Sequence, residues 1–207
     1  MKMEEFVPAF AQPLATFDLE LGDTFNADLA GFIDGMRVTS ESGRARTSIG
    51  GWRNDGNFFA VENPLVKQLE LACARAAIQF LRRCGVTIDL RHQAISLTGW
   101  ANWNGRGHYN APHRHLGADV CGSYYVQQPP EDDLHTGMIE FLDTRNVMPL
   151  QQRLGGPVFS NTIKRRPRVG QLVVFPSFLT HWVPPNQSDV GRIVVAWNAR
   201  LSERQNA

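Results

Sequence analysis

The second half of the chain is a series of short β-like runs. From residue 86 onward, runs rich in Val, Ile, Phe, Tyr and Trp alternate with Pro, Gly, Asp and Asn, which are residues typical of turns. The clearest runs are AISLTGWANW (94–103), VCGSYYVQQ (120–128), GMIEFLD (137–143), GQLVVFPSF (170–178) and GRIVVAWNARL (191–201). Several short strands at this spacing predict a β-sandwich or a barrel.

The first half carries the helical signals. The segment TFNADLAGFIDGMR (24–37) repeats apolar residues at helical spacing, and Asn26 is a plausible N-cap. The segment NPLVKQLELACARAAIQFLRRCG (63–85) is clearer, since Asn63 can cap it and Pro64 suits the first helical position. These two segments predict two helices that precede the strands.

The chain is long enough for one domain and has no break in composition. Its 207 residues match the usual size of a single domain. Residues 39–59, between the helices, are rich in Gly, Ser and Asn and predict a long loop. We expect one domain, with a helical support region over 1–85 and a β-rich core over 86–207. The predicted fold class is α+β, mainly β, with helices that buttress one face of the strands.

Charge and composition argue against several classes of partner. Lys and Arg number 21 against 20 Asp and Glu, so charge predicts neither nucleic-acid nor membrane binding. No window approaches the roughly 18 consecutive apolar residues of a membrane span. Glu4 and Glu5 stand where a secretory signal would be apolar, so we expect a cytoplasmic protein. Three cysteines without close spacing argue against a disulfide framework or a zinc knuckle.

Two of the six histidines, His113 and His115, lie two residues apart. On a strand, such residues point to the same face, about 6.5–7 Å apart. Two neutral imidazoles that converge on one point suit a borderline divalent ion. The same pattern also occurs as surface decoration on a polar strand, so the pair alone leaves both interpretations open.

Two residues near the C-terminus fit the same chemistry. His181 follows the apolar strand of VVFPSFLTHWVPP (173–185), where it is either a further ligand or a core histidine bonded to a carbonyl. Arg192 opens the last strand and lies either at an exposed end or inside the fold. A buried guanidinium needs an anionic partner, which a dicarboxylate can supply. Because side chains alternate along a strand, four residues share one of its faces: Arg192, Val194, Ala196 and Asn198.

Taken in order, these segments resemble the iron(II)/2-oxoglutarate-dependent oxygenases, and most closely the small bacterial and phage group of 2OG-Fe(II) oxygenases. The resemblance spans most of the chain. The matching segments are GGWRND (50–55), HRH (113–115), CGSYYVQQP (121–129), TGMIEFLDTR (136–145), GQLVVFPSFLTHWVPP (170–185) and GRIVVAWN (191–198).

The resemblance implies a double-stranded β-helix, which is a cupin-like jelly roll, supported by the N-terminal helices. It implies a dioxygenase, by default a hydroxylase of unknown prime substrate, that couples 2-oxoglutarate decarboxylation to substrate oxidation. Arg192 would pair with the far carboxylate of this small-molecule cosubstrate, and Asn102 and Asn110 would contact it. A homodimer is left open. The implied Fe(II) ligands are His113, His115 and His181.

One departure from the family pattern keeps alternatives open. The usual ligand set is two histidines and a carboxylate, H-x-D/E, whereas residue 115 is histidine. Either three histidines bind the metal or a carboxylate such as Asp119 or Glu140 replaces one. A three-histidine zinc site resembling that of carbonic anhydrases, a cupin-type metalloenzyme without 2-oxoglutarate, and a non-catalytic jelly-roll binding module are the alternatives.

Overall fold

The computed structural model describes residues 3–5, 11–41, 47–131, 135–144 and 160–204. It contains helix α1 (Asp23–Thr39), helix α2 (Pro64–Arg83) and a short 3-10 helix, Phe58–Ala60. The strands in these residues are β1 (Ala15–Asp18), β2 (Ser48–Ile49), β3 (Trp52–Arg53), β4 (Gln93–Asn104), β5 (Tyr109–His113), β6 (Val120–Gln127), β7 (Ile139–Leu142), β8 (Thr162–Arg165), β9 (Gln171–Pro176), β10 (Thr180–Val183) and β11 (Arg192–Glu203).

The strands form two antiparallel sheets. The larger has the order β1-β9-β6-β11-β4-β3 and the smaller has the order β2-β5-β10-β7-β8. From β4 onward the chain crosses repeatedly from one sheet to the other, which is the winding of a double-stranded β-helix. The predicted jelly roll with supporting helices is therefore confirmed. This winding sets β10, late in the chain, beside β5.

The apolar core lies between the helices and the outer face of the large sheet. Side chains alternate along β11, so that Ile193, Val195 and Trp197 pack in this core. The sequence predicts that these three residues share one face. From the helices, α1 contributes Leu29 and α2 contributes Leu69, both fully buried. Burial of each such large side chain contributes about 1.5–3 kcal/mol, so this face supplies much of the folding energy.

The helix boundaries match the sequence at α2 and differ at α1. The Asn63 side chain caps α2 by accepting a hydrogen bond from the amide of Leu65 at 2.8 Å. Helix α1 begins at Asp23, so the prediction of Asn26 as its cap is wrong. The Asn26 amide group instead donates to the Gly22 carbonyl at 3.0 Å and accepts from the Tyr124 hydroxyl. Neither described helix is both long and apolar enough to cross a membrane.

The predicted loop over 39–59 contains regular structure in its described part, while residues 42–46 lie outside the described residues. Strands β2 and β3 extend the small and large sheets respectively, and the 3-10 helix buries Phe58 and Phe59. Elements of two or three residues have no periodicity that sequence analysis can detect. The Asn57 side chain fixes this segment by accepting from the amide of Gly99 at 2.8 Å.

Candidate metal centre

The fold brings three histidines together from distant parts of the chain. His113 ends β5 and is the cross-strand partner of His181 on β10. His115 lies just beyond β5, where its amide donates to the Ser177 carbonyl at 2.9 Å. Ring centroids are 4.3 Å apart for His113 and His181, and 5.2 Å for His115 and His181. One ligand nitrogen from each ring lies within 4.8 Å of the other two.

Hydrogen bonds fix which nitrogen of each ring is available. His113 and His181 each bond through Nδ1 to the carbonyl two residues earlier, at 2.7 and 2.9 Å. His115 Nδ1 bonds to Asn198 Oδ1 at 2.7 Å. Because these oxygens only accept, each Nδ1 carries the proton and each Nε2 keeps its lone pair. His115 Nε2 is buried and has no hydrogen-bond partner among the described residues.

All three imidazoles are neutral at neutral pH. Burial, together with the charge effect of the neighbouring His113, lowers the pKa of His115 to about 4 and that of His181 to about 3. Burial also lowers the pKa of His113. A neutral imidazole is the form that binds a metal ion. Three neutral nitrogen donors with free lone pairs fit a borderline divalent ion such as Fe(II) or Zn(II).

Neither candidate carboxylate belongs to this cluster in the described part of the chain. Asp119 accepts a hydrogen bond from the amide of Leu201 at 2.7 Å. Glu140 pairs across the strands with Trp182, and alternation therefore puts it on the opposite face from His181. Glu140 accepts a hydrogen bond from the Trp182 indole at 3.0 Å. It is buried, whereas an ordinary charged strand residue would face water.

Arg192 lies in the same cavity as the histidines, a space of about 560 Å³ between the two sheets. Its side chain is 3% exposed, and its Nε has no hydrogen-bond partner among the described residues. No described carboxylate lies within ion-pair distance of it, and its guanidinium carbon lies 5.1 Å from the Tyr125 ring centroid. A buried cation without a counter-ion is costly, so this position favours an anionic ligand.

The two asparagines predicted to contact the cosubstrate also line this cavity. Asn102 lies on β4, and Asn110 on β5 accepts from the Asn104 amide at 2.9 Å. Thus the structure brings all six predicted site residues around one space. Their metal and cosubstrate roles stay predictions.

Sequence analysis missed several neighbours of the cluster. The Trp100 ring lies nearly parallel to that of His115, 13° apart with centroids 5.6 Å apart. The Arg53 guanidinium lies 4.5 Å from the Trp100 ring centroid. Asn198, already grouped with Arg192 by alternation, also accepts from Cys121 Sγ at 3.2 Å.

The aromatic residues considered as cavity walls divide between the faces. Trp103 and Tyr124 pack into the helix-side core, and Trp182 contacts Glu140, whereas Tyr125 lies on the Arg192 side. Alternation along β4 separates Trp103 from the cavity residues Trp100 and Asn102. That signal could have identified Trp100.

Comparison with known sequences points to one family. The family described as "Putative 2OG-Fe(II) oxygenase" matches residues 98–198. This segment runs from β4 to β11 and contains all six predicted site residues. No curated protein matches the chain.

Solved structures with the same fold include a Pseudomonas putida prolyl-4-hydroxylase, at 13% identity and TM-score 0.65, covering 91% of this chain and 92% of that one. A viral collagen prolyl hydroxylase from Paramecium Bursaria Chlorella virus-1, in a 2OG complex, is 14% identical with a TM-score of 0.57, and the match covers 90% of this chain and 94% of that one. HygX from Streptomyces hygroscopicus, with nickel, 2-oxoglutarate and hygromycin B bound, is 12% identical with a TM-score of 0.59, and the match covers 91% of this chain and 83% of that one. At these identities the likeness concerns the fold.

Proposed function

We propose that this chain, whose residues 98–198 match the family described as "Putative 2OG-Fe(II) oxygenase", is an Fe(II)- and 2-oxoglutarate-dependent dioxygenase that hydroxylates a substrate still to be identified. The observation that carries the proposal is that three imidazole Nε2 atoms share one cavity with the buried Arg192, which has no carboxylate partner among the described residues. The first group suits a divalent cation and the second suits an anion.

The metal would be held by His113, His115 and His181, and the far carboxylate of 2-oxoglutarate by Arg192. When bound, Fe(II) with 2-oxoglutarate and dioxygen supplies the oxidation, in which the cosubstrate is decarboxylated to succinate and the substrate gains one oxygen atom. Three neutral imidazoles contribute no charge, and the far carboxylate of the cosubstrate would pair with Arg192. The other carboxylate would therefore reduce the charge at the divalent ion from +2 to +1 and take the place of the protein carboxylate that this ligand set lacks.

The protein would orient the metal ligands and the cosubstrate, and would shield them from water. The Nδ1 hydrogen bonds hold each imidazole in one tautomer and one orientation. The bond to Asn198 does this for His115, the one of the three candidate ligands that lies outside a strand. Arg192 can form a forked pair with a carboxylate, which fixes the ligand in one orientation. Phe175 and Val194, both buried, line the cavity and exclude water from it.

Metal analysis tests the first half of the proposal. We expect anaerobically loaded wild-type protein to bind one Fe(II) per chain, and His113→Ala or His181→Ala to lose it. His92→Gln is the matched control, because this histidine is exposed and bonds to Asp89 away from the cavity. Retention of iron in both alanine variants would contradict the assigned ligands.

Cosubstrate titration tests the second half. With Fe(II) loaded under anaerobic conditions, 2-oxoglutarate should produce a visible charge-transfer band, and admission of oxygen should then yield succinate. Arg192→Leu should keep the metal and lose the band. The all-histidine cluster also suits zinc, so a three-histidine zinc enzyme is the second candidate. Zinc in the purified protein, with neither band nor succinate after iron loading, would favour it.

A further inference from the structure

One of the three candidate ligands, His115, lies outside the strands. His113 ends β5 and His181 lies on β10, and the two are cross-strand partners. Their Nδ1 atoms bond to carbonyls only two residues earlier, so the local backbone fixes both rings. His115 lies in the loop after β5, and its Nδ1 bonds to Asn198, 83 residues away in sequence. The orientation of this ring therefore depends on contacts between distant side chains.

A single hydrogen bond does not fix an imidazole ring. The bond from His115 Nδ1 to Asn198 Oδ1, at 2.7 Å, places one ring atom, but the ring can still tilt about the line from Cβ to Nδ1. The Nε2 atom, which would bind the metal, lies away from this line and moves when the ring tilts. Because a metal ligand needs a fixed ring orientation, the plane of His115 requires a second contact.

The indole of Trp100 supplies this second contact. Its plane lies 13° from that of the His115 ring, and the two centroids are 5.6 Å apart, which is an offset stack. A flat surface beside the imidazole opposes tilting of its plane. The Arg53 guanidinium carbon lies 4.5 Å from the same indole centroid, so a cation–π contact holds the indole in turn.

Core packing alone does not account for the position of this indole. Trp100 is partly exposed, lines the cavity and is in neither of the two apolar clusters that the described residues form. Trp103, three residues later on β4, packs against the helix-side core instead. Its ring also contacts an arginine, since the Arg37 guanidinium carbon lies 4.4 Å from its centroid. The two indoles therefore differ mainly in the face of β4 that they occupy.

We infer that Trp100 is a positioning residue, whose indole holds the imidazole plane of His115 so that Nε2 stays directed at the point where the three histidines meet. The role in metal binding rests on the proposed function, but the hold on the ring does not. His181 also has an aromatic neighbour, Phe175, at 4.7 Å, but Phe175 belongs to an apolar cluster and His181 is already fixed by its strand. His115 has no strand to fix it, so the stack on Trp100 has the larger effect.

Competition calorimetry with Zn(II) and a chelator measures the effect on metal affinity. Trp100→Leu should weaken Zn(II) binding about threefold to tenfold, as for the loss of one aromatic pair. Trp100→Phe keeps a flat ring beside the imidazole and should recover most of the affinity. Rescue by phenylalanine but not by leucine distinguishes stacking from simple filling of space.

Trp103→Leu is the matched control, because it removes an indole from the opposite face of the same strand. Unfolding of the metal-free proteins in urea gives the second readout. We expect Trp103→Leu to lower stability more than Trp100→Leu does, since its indole packs in the helix-side core, and to leave Zn(II) affinity unchanged. An equal loss of Zn(II) affinity in the two leucine variants would overturn the inference.

Heteronuclear NMR of the metal-free protein follows the ring directly. In the wild type, the His115 Nδ1 proton is held by Asn198 and should give a resolved signal. In Trp100→Leu this signal should broaden or disappear, because tilting of the ring breaks the hydrogen bond and admits exchange with water, whereas Trp100→Phe should retain it. An equally sharp signal in Trp100→Leu, or an unchanged Zn(II) affinity in that variant, would overturn the inference.

The two proposals fail in different ways. If the wild type binds no divalent ion at the three histidines, the metal assignment fails, and the Nδ1 signal of the metal-free variants still decides whether Trp100 holds His115. If the wild type binds the ion and His113→Ala loses it, while Trp100→Leu keeps both the affinity and the signal, the positioning inference fails alone.

Discussion

The two faces of strand β11 serve different purposes. Ile193, Val195 and Trp197 are fully or almost fully buried against the helices, where apolar side chains fill the space. The alternate residues border the cavity between the sheets: Arg192, Val194, Ala196 and Asn198. One strand therefore contributes at once to the stabilising core and to the candidate site.

Two unsatisfied polar groups border the cavity, where a ligand can reach them. On the cavity side, Arg192 Nε and His115 Nε2 are buried without hydrogen-bond partners among the described residues. Each such group lowers stability by about 1–3 kcal/mol. A ligand that binds in the cavity can recover this loss. The Trp197 indole nitrogen is also buried without a partner among the described residues, but it lies in the packed helix-side core. Stability and function can therefore be separated by mutation along a single strand.

The largest expected effect lies on the helix side. Trp197→Ala removes a fully buried indole and should lower the free energy of unfolding by about 3–5 kcal/mol, as large-to-small core substitutions do. Urea denaturation followed by circular dichroism measures this. Val38→Ala, at an exposed position of α1, is the control. A loss of stability for Trp197→Ala no greater than for this control would contradict a stabilising role of the helix-side face.

The next largest effect is expected from loss of the hydrogen bond that orients His115. Asn198→Ala removes the acceptor for His115 Nδ1 and should weaken metal affinity about 10–100-fold, which corresponds to about 1.4–2.7 kcal/mol. Unfolding of the metal-free protein should change little by comparison. Asn198→Asp keeps an acceptor oxygen at this position and should retain the affinity; equal losses in both variants would argue against orientation as the cause.

The sequence predicts the strand periodicities and the long helix well, because those signals are local. Alternation in β11 already separates Arg192 and Asn198 from Trp197, and Asn63 with Pro64 marks the start of α2. The start of α1 is not predicted, because Asn26 is used in a long-range hydrogen bond to Tyr124. Short strands β2 and β3 form only because β5 and β4 lie beside them.

The candidate site is less accessible to sequence analysis than the fold. Local spacing suggests His113 and His115. The sequence around His181 leaves it either a further ligand or a core histidine, and the family resemblance favours the ligand. The proximity of His181 depends on the pairing of β10 with β5, which lies outside any local pattern. The position of Arg53 beside Trp100 likewise depends on a two-residue edge strand.

A smaller effect of opposite sign is expected at Arg192. Arg192→Leu removes a buried guanidinium that has no anionic partner in the described protein, so the ligand-free variant should be more stable by about 1 kcal/mol. Urea denaturation in the absence of metal and 2-oxoglutarate measures this. Arg106→Leu, at an exposed residue paired with Asp189, should change stability by less than about 0.5 kcal/mol. A clear loss for Arg192→Leu would mean that the guanidinium already has a stabilising partner.

The smallest expected effect is a difference in the reactivity of the cysteines toward a labelling reagent. Cys73 lies in the helix-side core and Cys121 on the cavity side, and both are buried, whereas Cys84 is exposed. Burial raises the pKa of Cys121 to about 12 and raises that of Cys73 further. Because the thiolate is the reactive form, both should stay protonated and unreactive at about pH 8. Iodoacetamide labelling read by mass spectrometry should modify Cys84 alone, and prompt labelling of Cys121 would show that the cavity side opens.

We expect one divalent ion and one dicarboxylate to share the cavity between the sheets. A crystal structure of protein crystallised anaerobically with Fe(II) and 2-oxoglutarate would show both ligands at once. One ion should be bound to Nε2 of His113, His115 and His181, with the far carboxylate of 2-oxoglutarate on Arg192. An ion held by a carboxylate in place of one of these histidines, or a cosubstrate that does not contact Arg192, would contradict it.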